Sequence, residues 1–397
     1  MANLLLGVIY LAFISLGLPD SLMGSAWPSM YPAFQVPVSY AGIVTFIITL
    51  GTIISALLSD RLTYKLGAGN VTAISVAMTA LALLGFSYAP SFWIVCACAI
   101  PYGLGAGAID AALNNYVALH YSNRHMSWLH AMWGIGTVIS PYIMAYAIAR
   151  QHQWQLGYRY ISFIQIVIAC IIVGSLPLWV KRKPVAHSVS HKQDPTASAQ
   201  NKPLGLAATV RLPMAKEILF MFLAYCGIEG TAGLWSSTFA MQARGISTED
   251  AATWASYFYL GITGGRLVCG FIAEKLTDSQ MIRLGCLVLG VGIVITMLPT
   301  AWNPLTMIGL ITIGVGCAPI YPSIIHSTPA IFGEQHSQAM IGVEMASAYT
   351  GNLLLPPLFG LIARNLSALY LPVYLLAMFI ILVGMHELIL HKLSEQN

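Results

Sequence analysis

The sequence has 397 residues, of which 57% are hydrophobic and only 8% are charged. Soluble globular chains carry about 25% charged residues, so this composition excludes an ordinary water-soluble domain and predicts an integral membrane protein in contact with the lipid bilayer. The net charge of +4 comes from 18 basic and 14 acidic residues scattered along the chain, which excludes the basic stripe of a nucleic-acid-binding protein.

Apolar segments long enough to cross a bilayer recur along the whole chain. A bilayer core needs roughly 20 apolar residues per helix, and polar, proline-rich or charged breaks divide the chain at that scale into twelve predicted spans. No small-residue cleavage site follows the first span, so we expect it to be retained. The spans cover residues 4–27, 40–59, 69–88, 92–119, 128–149, 156–180, 214–241, 250–273, 280–300, 304–330, 338–363 and 367–390.

A polar stretch separates the sixth span from the seventh. Residues 181–213 open with KRKPVAHSVSHKQDPTASAQNKP, a run rich in Ser, Pro, Lys and His that is typical of a flexible linker. The sequence therefore predicts an N-terminal six-helix bundle over 1–180, a linker over 181–213 and a C-terminal six-helix bundle over 214–397.

Lysine and arginine are distributed unevenly between the two sides of the predicted membrane. Placing the N-terminus in the cytoplasm puts most of the 18 basic residues inside, including the run at 181–183. Four arginines fall outside and one lies within a span: Arg150, Arg159, Arg244 and Arg364, then Arg266. This bias predicts that both termini and the linker are cytoplasmic.

Short sequence motifs of the first half recur in the second half at a nearly constant offset in residue number. LLSDRL at 57–62 matches FIAEKL at 271–276, and the GLG of span 4 at 103–105 matches the GVG of span 10 at 314–316. Gly136 and Pro141 in span 5 match Gly351 and Pro356 in span 11. The repeat predicts two six-helix halves related by a pseudo-two-fold axis, with a binding site between them near the membrane midplane.

The seven cysteines all lie in apolar segments, without a CxxC pair or a cluster with histidine at zinc-ligand spacing. We interpret them as small core residues. The sequence predicts no metal site and no cofactor.

With these features the chain resembles the major facilitator superfamily over essentially its whole length. Residues 59–67, SDRLTYKLG, are similar to the superfamily's cytoplasmic signature, with extra residues before Gly67. Within the superfamily the chain is most similar to the fucose-permease-type sugar:proton symporters, because Asp20 in span 1 and Asp110 in span 4 stand where that type carries acids. The resemblance implies an all-α membrane protein of twelve transmembrane helices, multi-pass in the cell inner membrane, that transports by alternating access.

Four acids lie well inside predicted spans, where a charge costs at least about 2.5 kcal/mol at the helix centre. They should face a cavity or a partner, and burial in a low dielectric favours the neutral carboxylic acid, which can then exchange a proton when water reaches it. Asp20 also follows Gly17 and Pro19, which we expect to interrupt span 1. The candidates for proton coupling are Asp20, Asp110, Glu229 and Glu344.

Polar and aromatic residues inside the spans are candidates for binding a substrate. The i, i+4 pair Asp110 and Asn114 shares one helix face, where a carboxyl beside carboxamides could bind sugar hydroxyls, and tryptophan could stack on the apolar face of a pyranose. The resemblance adds weight to spans 7 and 11, which commonly line the cavity in this superfamily. The predicted substrate-binding set is Asp20, Asp110, Asn114, Asn115, His130, Trp133, Trp235, His326, Glu344 and Asn352.

Each of these residue types also has a structural interpretation. Asparagine and histidine in a membrane bundle can hydrogen-bond to a neighbouring helix, and tryptophan near a span end can belong to the interfacial belt. The sequence leaves both interpretations open. The glycines of GLGAG at 103–107 indicate close helix packing and not a nucleotide fingerprint, because they follow no strand.

Charged residues at equivalent cytoplasmic points of the two halves are candidates for a conformational latch. Asp60 and Arg61 end span 2, and Glu274 and Lys275 end span 8. Arg266, near the inner end of span 8, is assigned to the same group, as a snorkelling residue or one member of a gate pair.

Buried acids, amides and aromatics together favour a secondary active transporter, a proton-coupled symporter of a small polar solute such as a sugar. The alternative is a proton-driven exporter of drugs or metabolites with the same fold. A membrane enzyme or receptor is a third hypothesis, which no nucleophile–base pair or metal-ligand spacing supports. We expect a monomer whose partners are the solute, protons and lipid.

Overall fold

The computed structural model describes residues 2–179, 203–298, 302 and 304–396, and this part of the chain is helical apart from short connections. Short 3₁₀ helices lie at Val38–Tyr40 and Ala368–Tyr370. The α-helices are α1 (Ala2–Asp20), α2 (Leu22–Ala33), α3 (Ala41–Leu66), α4 (Ala68–Tyr88), α5 (Phe92–His120), α6 (Asn123–Gln151), α7 (Trp154–Trp179), α8 (Leu206–Thr209), α9 (Ala215–Arg244), α10 (Thr248–Ile272), α11 (Asp278–Met297), α12 (Pro304–Cys317), α13 (Ile320–Phe332), α14 (Glu334–Asn365) and α15 (Leu371–Gln396).

Within the described residues, ten segments are long and apolar enough to cross a membrane. Two further helices, α10 and α14, are not among the ten. The pairs α1/α2 and α12/α13 each form one of the ten segments. With α10 and α14 added, these segments correspond to the twelve predicted spans.

Two predicted spans are broken in the structure. The first is interrupted at Ser21, between α1 and α2, directly after Pro19 and Asp20, which confirms the expected interruption. The tenth is interrupted at Ala318 and Pro319, between α12 and α13. Proline has no N–H to donate and its ring crowds the preceding turn, so both breaks have a local cause, although the second was not predicted.

The second predicted span ended at residue 59, but the helix is longer in the structure. Helix α3 continues through Asp60 and Arg61 to Leu66 and ends at Gly67, whose φ is +78°. Residues 59–66 contain no glycine or proline, so nothing stops the helix earlier. Gly67 ends it because only glycine adopts a positive φ without strain.

Contacts group the chain into two units, named here the first and the second unit. The first comprises Met1–His120, Leu129–Leu206 and Pro329–Met345, and the second comprises Tyr121–Trp128, Ala207–Thr328 and Ala346–Asn397. They differ from the predicted halves by two short exchanges, at 121–128 and 329–345. Of the predicted linker, residues 181–202 lie outside the described residues, so its boundaries remain a prediction.

The same helix pairings occur in both units. In the first unit α3 packs on α5, α4 packs on α5 and α7, and α1 packs on α7. In the second unit α10 packs on α12, α11 packs on α12 and α15, and α9 packs on α15. Since each helix of the first set matches one of the second by predicted span order, the recurrence supports the internal duplication inferred from the sequence.

Glycines bring helix backbones into direct contact, as the sequence predicted for GLGAG. A Cβ at Gly103 or Gly107 of α5 would collide with the backbone carbonyl of Ile48 or Thr52 in α3. In the second unit a Cβ at Gly314 of α12 would collide with the carbonyl of Phe258 in α10. Small residues at such crossings allow close packing without a hydrophobic driving force between helices.

We expect Gly103→Ala to destabilise the protein by about 1–3 kcal/mol, because its methyl group would meet a backbone carbonyl that cannot move alone. The midpoint of thermal unfolding in detergent should fall. The matched control is Gly174→Ala in α7, where an added Cβ meets no described atom within 4 Å and alanine is the better helix former. Equal midpoints for the two variants would contradict the close-packing argument.

Candidate functional site

The Asp20 carboxylate, at the end of α1, is held by two hydrogen bonds from other helices of the first unit. The indole N–H of Trp133 in α6 donates to Oδ2 (2.7 Å), and the hydroxyl of Tyr102 in α5 donates to Oδ1 (3.2 Å). Asp20 is exposed although the residues just before it are buried. Each carboxylate oxygen therefore has one protein donor and remains accessible from one side.

The accessible side of Asp20 faces a cavity of about 450 Å³ within the first unit. That volume is in the range of small-molecule sites, about 300–1,000 Å³. Aromatic rings, two threonines and aliphatic side chains form its wall. The lining residues are Pro19, Asp20, Met23, Gly24, Trp27, Pro28, Ala41, Thr45, Ile48, Thr49, Leu83, Phe86, Tyr102 and Tyr158.

The break after α1 and a glycine crossing fix the position of Asp20 against α6. The Ser21 hydroxyl donates to the Thr137 carbonyl (2.7 Å) and lies 2.8 Å from the Ser140 hydroxyl. A Cβ at Gly17 would collide with the backbone carbonyl of Trp133. The backbones of α1 and α6 are therefore in contact one turn before Asp20, which brings the indole of Trp133 to the carboxylate.

A second polar group is buried in the first unit. Asn114 donates its amide N–H to Asp110 Oδ1 (2.8 Å), and its Oδ1 lies 3.1 Å from Nε2 of His130. Since Oδ1 can only accept, Nε2 of His130 carries the proton of this bond. The predicted shared face of Asp110 and Asn114 is confirmed. The adjacent Asn115 accepts a hydrogen bond from the Ser337 hydroxyl of α14 (2.6 Å). This is the hydrogen bond to a neighbouring helix that the structural interpretation of the asparagines expects.

A third group lies in the second unit, between α9, α10 and α12. The Tyr225 hydroxyl is 2.6 Å from Glu229 Oε2 and 3.0 Å from the Cys317 carbonyl oxygen. Arg266 is 3.6 Å from the same carboxylate oxygen, and its side chain is 4% exposed against 20% for Glu229. Arg266, predicted as a latch residue, is thus the buried ion-pair partner of Glu229.

Two other predicted site residues, Trp235 in α9 and Asn352 in α14, each contact the other of these two helices. Trp235 donates its indole N–H to the Pro356 carbonyl (2.9 Å) and packs against Phe359. Asn352 lies against Gly230, where a Cβ would meet its side-chain oxygen. Glu344 in α14 is fully buried.

His326, predicted to bind substrate, belongs to a different hydrogen-bond network in the second unit. Its Nδ1 lies 2.8 Å from Asp278 Oδ2 and its Nε2 lies 3.2 Å from the Tyr121 carbonyl. Asn123 donates to Asp278 Oδ1 (2.7 Å) and to the Ser323 hydroxyl (3.0 Å). Both His326 nitrogens are therefore used by protein acceptors. Sequence reasoning missed Asn123 and Asp278, and only the capping box at Thr277 signalled the second.

The predicted latch residues have separate contacts. Asp60 accepts a hydrogen bond from the backbone N–H of Leu204 (3.0 Å). Glu274 forms an ion pair with Arg124. Arg61 and Lys275 are exposed. The latch role itself stays a prediction.

The buried Asn123 network should contribute more stability than the adjacent ion pair. Arg124 and Glu274 are 28% and 54% exposed, and exposed pairs contribute only about 0.2–1 kcal/mol. We expect Arg124→Gln to change the free energy of unfolding by less than about 1 kcal/mol. We expect Asn123→Ala to lower it by about 1–3 kcal/mol, because the partly buried Asp278 carboxylate and the buried Ser323 hydroxyl each lose a partner. Thermal unfolding of the two variants measures the difference, and the reverse order would refute it.

Comparisons with known proteins place this architecture in a family. A family model of the Major Facilitator Superfamily matches residues 9–324 and, in a second match, 218–395. The chain belongs to the Major Facilitator Superfamily. It is a multi-pass membrane transporter and not an enzyme.

Three relatives cover most of the chain at low identity. Bypass of stop codon protein 6 of Saccharomyces cerevisiae is 22% identical over 384 residues, which are 91% of this chain and 77% of that protein. The glucose/mannose transporter GlcP of Bacillus subtilis is 22% identical over 381 residues, 94% of this chain and 92% of the relative.

The third relative is the transporter FucP, for which two solved structures are similar to this chain. FucP in the outward conformation matches with a TM-score of 0.78 at 14% identity, covering 97% of this chain and 98% of FucP. A structure of the E. coli fucose:proton symporter FucP matches with a TM-score of 0.76 at 14% identity, covering 96% and 98%. The likeness shows the twelve-helix fold in two six-helix halves.

Proposed function

We propose that the chain is a proton-coupled symporter of a small polar solute, with sugars as the substrate class, working by alternating access. The observation that carries the proposal is the Asp20 carboxylate, accessible at a cavity of about 450 Å³ and held by Trp133 and Tyr102. A carboxylate that meets both a cavity and a proton donor network can bind a hydroxyl group and exchange a proton in the same place.

The cavity wall supports a sugar over a purely apolar substrate. Trp27, Phe86 and Tyr158 line the cavity together with Thr45, Thr49 and Asp20. Stacking on a ring together with hydrogen bonds from a few placed polar groups is the usual composition of a small-molecule site. GlcP is described as a glucose/mannose transporter and FucP as a fucose:proton symporter, and both descriptions agree with that substrate class.

The two acids of the first unit have different tasks in this proposal. Asp20 stands at a helix break on the cavity and takes up the proton. Asp110 lies about 18 residues after the start of α5, hence about 27 Å along it at 1.5 Å per residue, and is bonded to Asn114. It holds the substrate or helps the proton to leave. Glu229 and Glu344 are the candidate proton sites that remain.

Uptake by purified protein in proteoliposomes tests the function. A panel of radiolabelled sugars is offered with and without an imposed inward proton gradient. We expect one sugar to accumulate only when the gradient is present. Gradient-driven release of an apolar compound, with no sugar accumulated, would instead favour a proton-driven exporter of drugs or metabolites.

Neutralising Asp20 separates the proton step from substrate binding. We expect Asp20→Asn to abolish accumulation against a concentration gradient but to preserve counterflow, because exchange of bound solute does not require the proton to leave. The matched control is Glu395→Gln, which removes an exposed acid paired with His391 in α15 and should leave both activities unchanged. Wild-type accumulation in both Asp20→Asn and Asp110→Asn would refute proton coupling through either acid.

The proposal also includes a monomer in the cell inner membrane with both termini and the linker on the cytoplasmic side. The excess of lysine and arginine in the segments assigned to that side supports it. Labelling of single cysteines placed at each terminus with a membrane-impermeant thiol reagent tests the orientation. Labelling of either terminus in intact cells would contradict it.

A further inference from the structure

One tyrosine proton in the second unit is shared between two acceptors. The fully buried Tyr225 hydroxyl lies 2.6 Å from Glu229 Oε2 and 3.0 Å from the Cys317 carbonyl oxygen. A tyrosine hydroxyl has a single proton to donate. It can satisfy the carboxylate or the carbonyl, but not both at once.

The protonation of Glu229 decides which acceptor receives that proton. An ionised carboxylate accepts the shorter, charge-assisted bond, so Tyr225 then donates to Glu229 and the carbonyl receives nothing from it. When Glu229 takes up a proton, the new carboxylic O–H can donate to the tyrosine oxygen. The Tyr225 hydroxyl is then released to donate to the Cys317 carbonyl. One proton binds, while Arg266 stays beside the carboxyl group and the tyrosine oxygen.

The Cys317 carbonyl belongs to the second helix break of the chain. Cys317 is the last residue of α12, and α13 starts only at Ile320, after Ala318 and Pro319. Where a membrane helix is broken, freed backbone groups need side-chain or neighbouring partners, because lipid offers none. A hydrogen bond to this carbonyl that forms or breaks with the protonation of Glu229 therefore changes the geometry of the break.

The titratable and charged groups around Glu229 come from three elements besides its own helix. Arg266 and Tyr259 belong to α10, Cys317 to α12, and Tyr321 to α13. Arg266 is a fixed cation, so Glu229 and Arg266 together change from neutral to positive when a proton binds. The Glu229 side chain is 20% exposed and that of Arg266 only 4%, which makes the carboxyl the member of the pair that water can reach.

We propose that Glu229, Tyr225 and the Cys317 carbonyl form a proton-responsive relay that sets the conformation of the break between α12 and α13. The relay rests on the proposed transport function but is separate from the cavity of Asp20. It assigns Glu229 as the proton site, Tyr225 as the positioning residue that transmits its state, and Arg266 as the counter-ion.

Counterflow at several pH values tests the relay, because counterflow needs no proton gradient. The background is Asp20→Asn, in which the acid of the first site no longer titrates. There we expect the counterflow rate to change with pH by about five-fold or more, the lower end of the range for coupled sites. Adding Tyr225→Phe should flatten the profile, and adding Glu229→Gln should fix the rate near its acid value at all pH.

The control is Tyr374→Phe, which removes a tyrosine bond to the Leu355 carbonyl (3.0 Å) in the same unit. It should leave the pH profile unchanged. If Glu229→Gln does not fold because Arg266 is left uncompensated, the double variant Glu229→Gln/Arg266→Gln replaces it, with thermal unfolding as the check. An unchanged profile in folded Tyr225→Phe would overturn the relay. A wild type that counterflows but never accumulates solute on a proton gradient would overturn only the proposed function.

Discussion

Lipid offers no hydrogen bonds to a peptide group, and this constraint decides where polar chemistry can occur in the chain. Unbroken helices satisfy their own backbones, so only their side chains can bind a solute. At the first break the Ser21 hydroxyl bonds the Thr137 carbonyl of α6, and at the second break the Cys317 carbonyl accepts a hydrogen bond from Tyr225. Two acids inside the spans lie near these breaks: Asp20 directly precedes the first, and Glu229 shares the Tyr225 hydroxyl with the Cys317 carbonyl at the second. Backbone interruption and ionisable chemistry are therefore parts of one arrangement.

The same constraint applies to the acids inside the spans, which need polar partners. Glu229 has a guanidinium and a hydroxyl beside it, so a cation compensates its charge. The donors described for Asp20 and Asp110 are neutral: the indole of Trp133 and the hydroxyl of Tyr102 for Asp20, and the amide of Asn114 for Asp110. A carboxylate with neutral donors is stabilised less than one with a cation.

Sequence reasoning predicted what depends on local pattern and missed what depends on distant partners. The spans, the break after Pro19, the glycine contacts and the i, i+4 pair of Asp110 and Asn114 all follow from spacing along one helix. The role of His326 does not, because its partner Asp278 lies 48 residues earlier in the chain. Arg266 was likewise predicted as a snorkelling residue or one member of a gate pair, but nothing in the sequence says that its partner is Glu229 on the neighbouring helix.

The two broken spans are not counterparts of each other in the duplication. The first span corresponds to the seventh, and α9 runs unbroken from Ala215 to Arg244; the tenth corresponds to the fourth, and α5 runs unbroken from Phe92 to His120. The glycine crossings, in contrast, recur in both copies. The two copies thus share their glycine packing surfaces, while each has an interruption that the other lacks. Two daughters of one ancestral bundle could in this way specialise without either having to rebuild its scaffold.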